Sequence, residues 1–192
     1  MNMKSVLFTV AFLGFGMTVA AEMPKHWISA GSHPAEYAMT VDRKITHTGH
    51  ASGHLKCKVE DPAGFGTLMQ TCGVGGYRGK RLRLSGFLKS TDAAGAGLWF
   101  RVDGSAGKTL SFDNMSRRAI NGTTDWKKYE IVLDVPEGSE SLYFGILTTT
   151  GELWMDDLKF EEVDKSVPVT DLYAGKDSKP TEPQNLNFEE DK

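Results

Sequence analysis

From Arg81 to Val163 the chain runs in short apolar–polar alternations separated by turn residues, the period-2 pattern of strands that bury one face. "RLRLSGFLKS" sends Leu82, Leu84 and Leu88 to one side and Arg81, Arg83, Phe87 and Lys89 to the other. "GLWFRVDG" separates Leu98, Phe100 and Val102 from Trp99, Arg101 and Asp103 in the same way. "WKKYEIVLDVP" places Tyr129, Ile131, Leu133 and Val135 together before a Pro-Glu-Gly break, and "SLYFGILTTTG" aligns Leu142, Phe144 and Ile146. In "ELWMDDLKFEEV", simple parity puts Trp154, Asp156, Leu158 and Phe160 on the core side and Asp157 outside. Further extended pieces are expected at His26–Ser29 and Tyr37–Val41. No segment sustains a helical period, so the pattern predicts an all-β protein built as an antiparallel sandwich or jelly roll.

The two ends depart from this pattern. Lys4, the apolar run Val6–Val19 and the small residues Val19-Ala20-Ala21 read as a signal peptide over residues 1–21. The run is shorter than the roughly 20 residues of a membrane span, so the mature chain is expected to be exported, periplasmic or extracellular, without a transmembrane segment. Residues 164–192 carry Pro168, Pro180 and Pro183 among scattered charges, the composition of a polar, flexible tail. Residues 22–163 remain as one domain, large enough for its own core.

Within 192 residues the formal net charge is -3, which excludes the basic footprint of a nucleic-acid binder. The two cysteines flank Asp61-Pro62-Ala63-Gly64, a strong turn signal. A hairpin folded about Gly64–Phe65 would oppose Cys57 and Cys72, and an exported chain would then close a disulfide contributing about 3 kcal/mol. Neither thiol sits in a C-x-x-C or a basic cluster, so that role is structural.

"GLWFRVDG", "LSFDNM" and "GTTDWKKYEIVLDVPEGSESLYFGILTTTGELWMDDLKFEEV" together resemble galactose-binding-like jelly-roll modules related to cellulose- and xylan-binding domains. The closing W-x-D-D-L-x-F is similar to their final strand, and DW-x-x-Y-x-I-x-L-x-VP to a middle strand. The resemblance implies a non-catalytic module for carbohydrate or cell-envelope glycan. It also implies a structural calcium held by Asp156, although the Asn-Phe-Glu opening that would complete such a site is missing from the N-terminal segment. The tail's "PQNLNFE" is similar to that opening strand.

The residue types on the outward face agree with sugar binding. Trp99 offers a flat ring for stacking, and Arg101 and Asp103 offer directed bonds to hydroxyls. Arg83 and Tyr77 are expected to flank them, with Asn114 on a loop beside them. Trp126 and Trp154 are assigned to packing. His47, His50 and His54 lack the spacing and fourth ligand of a zinc site. There is no G-x-S-x-G, no H-E-x-x-H and no phosphate-binding glycine loop. Asp103, Asp113 and Asp134 are the carboxylates from which a small hydrolase would draw, but alternation sets no two of them face to face. An interaction module that docks on another envelope protein is the alternative to a glycan binder.

Overall fold

The computed structural model describes residues 22–173, and these form an antiparallel β-sandwich. The strands are β1 (Ile28–Gly31), β2 (Tyr37–Asp42), β3 (Ser52–Cys57), β4 (Gly66–Gly73), β5 (Arg81–Gly104), β6 (Thr109–Asp113), β7 (Ile120–Asp134), β8 (Ser139–Thr148) and β9 (Thr150–Val163). One layer runs β1-β4-β8-β5-β6 and the other β2-β3-β9-β5-β7. The predicted leader, the segment 174–192 and its "PQNLNFE" lie outside the described residues. Among the described residues no helix is long and apolar enough to cross a membrane.

β5 belongs to both layers. Its first half pairs with β7 and β9, and from Gly97 onward it pairs with β8 and β6. The two runs read separately in the sequence are therefore one strand of 24 residues that crosses the sandwich. The crossing falls at Asp92 and Gly95, both with positive φ (48° and 60°), where glycine and aspartate tolerate the left-handed region best. The β8–β9 corner is fastened to this crossing, because the Thr149 amide and hydroxyl both donate to the Ala94 carbonyl, at 3.0 and 2.7 Å. Tyr37 adds a third element: its hydroxyl lies 2.8 Å from the Gly64 carbonyl and 2.7 Å from that of Thr149. Burial, reinforced by the neighbouring Cys57 and Glu36, pushes that phenol up to about 12.

The core follows the alternation. Leu82, Leu84, Leu88, Leu98, Phe100, Val102, Ile131, Leu133, Leu142 and Ile146 are fully buried between the layers. Phe160 joins them edge-on to Phe144 and Phe100, at centroid separations of 4.9 and 5.3 Å.

In β9 the parity reading fails. The register with β5 slips by one residue between Lys159, opposite Ser85, and Asp156, opposite Phe87. Asp157, with φ 51°, occupies the bulge. The extra residue reverses the faces, so Leu153 and Met155 enter the core before it while Leu158 and Phe160 pack against the core after it. Leu158 uses the space left by Gly86, where an added Cβ would lie 2.5 Å from its Cδ2. Trp154 and Asp156 consequently stand on the outer face, a correction to their inward assignment.

The cysteine hairpin is also corrected. β3 and β4 lie in different layers, with Cys57 opposite Tyr37 and Cys72 opposite Leu142. The turn after β3 carries the chain across the sandwich instead of back along the same sheet. Both thiols are free.

Residues 164–173, expected to begin a tail, instead form a strap across the open side of the sandwich. Arg81 grips it through bonds from Nη1 to the carbonyls of Lys165 (2.6 Å) and Val167 (2.5 Å), while its Nε and Nη2 clasp Asp134 at 2.9 and 2.8 Å. The Thr170 amide donates to the Val132 carbonyl and the Leu172 amide to the Phe112 carbonyl, both at 2.8 Å. The strap thus occupies the unpaired edges of β7 and β6, and Val132, outward by parity, is buried.

Two expectations follow. A reductant, or Cys57→Ser, should leave the melting temperature within about 2 °C of the untreated protein by calorimetry, because no cross-link restrains the unfolded chain. The hydrogen bonds from Arg81 hold the Asp134 carboxyl below the ordinary aspartate range. Its stabilising contribution is therefore present above the unfolded-state value and lost as pH falls through the lower folded one. Asp134→Asn should lower the melting temperature at pH 7 and make the decline between pH 5 and 3 shallower than in the parent; parallel curves would contradict this.

Candidate functional site

The outer face of the β1-β4-β8-β5-β6 layer carries a groove of about 310 Å³. Strand register explains its lining. Trp99 and Arg101 alternate outward from β5, opposite Gly145 and Tyr143 of β8, and Phe112 of β6 lies opposite Arg101. Met69 of β4 stands beyond Gly145, and Leu147 pairs with Thr67. Asn114 follows β6 and completes one wall, with Phe65 and Ala30 on the other. Gly145 puts no side chain between Trp99 and Met69; a Cβ there would lie 2.1 Å from the Leu68 carbonyl oxygen.

Three of the sequence candidates, Trp99, Arg101 and Asn114, meet in this groove. The indole is not an open platform, however. Trp99 is only 7% exposed, and its Nε1–H donates to Thr67 Oγ1 at 2.7 Å. The Thr67 hydroxyl in turn donates to the Ile146 carbonyl at 2.7 Å. The side chain is locked flat across β8 and makes the groove floor, so the freestanding ring of the sequence reading is corrected to a buried one.

Asp103 is corrected similarly. It is buried behind Arg101, with Oδ2 2.9 Å from Nη2. Arg101 also places its guanidinium over the Tyr143 ring, 4.7 Å from the centroid. Asp103 Oδ1 and Arg101 Nε, both buried, have no hydrogen-bond partner within the protein. Buried polar atoms are normally satisfied, so this pair has capacity for one more donor and one more acceptor.

Arg83 and Tyr77 do not reach the groove. Arg83 is on the half of β5 that pairs with β7, and its Nε lies 3.3 Å from Glu130 Oε2 on the opposite layer's outer face. Tyr77 is exposed at the sandwich end, 6.5 Å from Phe160. The outward parity of Arg83 holds, but the crossing of β5 separates it from Trp99. Asp113 is fully buried and paired with Arg118 at 2.7 Å, so it holds the loop after β6 and lines no groove.

Asp156 does not fit a calcium ion. Its Oδ2 accepts the amides of His47 (2.9 Å) and Thr48 (3.1 Å), and Oδ1 accepts the Asp157 amide at 2.8 Å. Its lone pairs are directed at N–H donors, and among the described residues no group of three His, Cys, Asp or Glu side chains gathers into a metal-binding cluster. The carboxylate staples the loop before β3 to the bulge in β9.

The opposite outer face holds an aromatic set that the sequence reading assigned elsewhere. Trp154 stacks under His54 at 4.5 Å and 6°, and its Nε1–H donates to Asp42 Oδ2 at 2.9 Å. Burial pulls His54 below its ordinary value, against Glu152 2.9 Å away, which pulls the other way. His47 stacks on Phe87 at 3.7 Å, with Trp126 edge-on at 5.7 Å. The signal was the pairing of His54 with Trp154 across β3 and β9, which becomes visible only once the bulge fixes the register. Three of its polar ring groups are bound to carboxylates: Trp154 Nε1 to Asp42, His54 Nε2 to Glu152 and His47 Nδ1 to Asp157.

Comparison with known proteins places this geometry in a class. No family model matches the chain. Among solved structures, the Paenibacillus barcinonensis CBM22-1 xylan-binding domain superposes with TM-score 0.50 and 15% identity over 74% of this chain and 89% of its own. A C-terminal family 22 carbohydrate-binding module of a Clostridium thermocellum xylanase gives 0.52 and 11%, over 72% and 86%. The enzymatically active domain of bacteriophage CBA120 tailspike protein 4 gives 0.57 and 14%, over 72% of this chain and 20% of that one. The chain therefore has the jelly-roll β-sandwich fold of carbohydrate-binding modules; at these identities the likeness concerns fold alone. In sequence, it is 49% identical over 170 residues to the uncharacterized HTH-type transcriptional regulator YbfP of Bacillus subtilis (strain 168). That match takes in 87% of this chain and 57% of the regulator, so the chain spans little more than half of that relative.

The locked indole carries a stability expectation. Trp99→Ala should cost about 3–5 kcal/mol in chemical denaturation, as for other buried aromatic truncations. Trp99→Phe, which removes the bond to Thr67 but keeps most of the packing, should cost about 1–2 kcal/mol. Equal losses for the two would show that the indole contributes through Nε1 alone.

Proposed function

We propose that the protein is an exported, non-catalytic module that binds carbohydrate, in the groove floored by Trp99. The carrying observation is the convergence of an apolar floor, the Arg101 guanidinium and the Asn114 amide in one concave site on a carbohydrate-binding-module fold. Met69, Leu147 and Phe112 offer apolar surface to a sugar ring. Arg101, its guanidinium held from behind by Asp103, and Asn114 offer directed hydrogen bonds to sugar hydroxyls. The polar members of the lining are Thr67, Arg101 and Asn114, and among the described residues no pair of carboxylates spans the groove as glycoside hydrolysis requires. That composition favours retention over turnover.

The likeness to a transcriptional regulator supports a second use of the same groove, as the ligand-sensing part of a longer chain. The described residues are all-β and the net charge is -3, so a DNA-reading helix would have to lie elsewhere in such a protein.

The test is retention on immobilised xylan, mixed-linkage β-glucan, mannan and peptidoglycan. The parent should be retarded on at least one, and Asn114→Ala and Phe112→Ala should each weaken binding about three- to tenfold while melting within a few degrees of it. Equal retention of all three proteins would remove the groove from consideration. Retention of none would favour a protein partner, sought by pull-down from envelope extracts.

A further inference from the structure

The row of outward side chains beside the groove does not end at β6. Across the strands, on one outer face, stand Tyr143 of β8, Arg101 of β5 and Phe112 of β6, each paired in register with the next. The strap continues this row. The Leu172 amide donates to the Phe112 carbonyl at 2.8 Å, and Asp171 Oδ1 accepts the Phe112 amide at 3.0 Å. These bonds seat the strap on the free edge of β6 as a further strand would be, although it is too short to form one. Asp171 Oδ1 also accepts the Tyr173 amide at 2.9 Å, which turns that residue back toward the sheet. The Tyr173 ring comes to rest 5.8 Å from Phe112, tilted by 37°, and is 41% exposed.

We infer that Tyr173 is a ligand-contacting residue, and that the strap it rides on lengthens the site so that it takes an extended oligosaccharide in preference to a single sugar. Neighbouring strands are about 4.8 Å apart, so the row from Tyr143 through Arg101 and Phe112 to the strap spans about 14 Å. Several linked rings fit that length, and one does not fill it. The row alternates flat surface with a fixed cation. A chain lying across the strands would meet Tyr143 and Arg101 toward one end, where the guanidinium is already held by the tyrosine face and Asp103. It would meet Phe112 and Tyr173 toward the other. Arg81 secures the strap at its other end through the carbonyls of Lys165 and Val167, so Tyr173 is placed by a two-point attachment.

This inference rests on the glycan reading of the groove, and its experiment separates the two. Affinity is measured by calorimetry on the full chain, with the single sugar and the six-ring fragment of whichever array polysaccharide retains the parent. Tyr173→Ala should weaken binding of the six-ring fragment about three- to tenfold and change the single-sugar affinity less than twofold. Tyr173→Trp should restore the six-ring affinity. Equal affinities for parent and Tyr173→Ala on the six-ring fragment would overturn the strap contact while leaving the groove intact. A matching loss on both lengths would also overturn it, because that is the signature of a disturbed Phe112. A parent that binds no polysaccharide on the array would overturn the glycan reading and the inference together.

Discussion

The structure depends on the passage of β5 from one layer to the other. A single strand hydrogen-bonded in both sheets fixes their separation and their relative register, and its inward residues feed one core from Leu82 to Val102. The passage works only because the chain adopts positive φ at Asp92 and Gly95 and because the β8–β9 corner closes over it through Ala94. Gly151 is part of the same fit: a Cβ there would stand 2.3 Å from the Asp92 carbonyl oxygen. Layer spacing, strand order and the outward aim of Trp99 and Arg101 all follow from this corner.

The alternation was legible wherever strands are regular. Leu82, Leu84, Leu88, Ile131, Leu133, Leu142 and Ile146 are in the core as their period requires. It failed at Trp154 and Asp156, because one added residue at Asp157 reverses every side chain before it, and nothing in "WMDDLKF" marks which aspartate is the extra one. It failed also for the cysteines. A turn signal states that the chain changes direction and leaves open whether it returns in the same sheet or crosses to the other, and the disulfide was inferred from the first option.

The site was legible in part for a related reason. Parity identified the outward residues correctly, yet both layers have an outward side, and residues as close in sequence as Arg83 and Trp99 end on opposite ones. Which aromatic residue would be covered was beyond a one-dimensional pattern, since the covering of Trp99 comes from Thr67 on β4, two strands away. The strap was hidden by composition: proline and charge describe a segment unable to form its own core, but such a segment can still lie against one. Arg81 and Val132 supply the polar grip and the apolar patch that hold it there.

The unlinked thiols have a further consequence. A sandwich closed by a shared strand and a strap owes none of its cohesion to oxidation, so its folded state is indifferent to the glutathione poise around it.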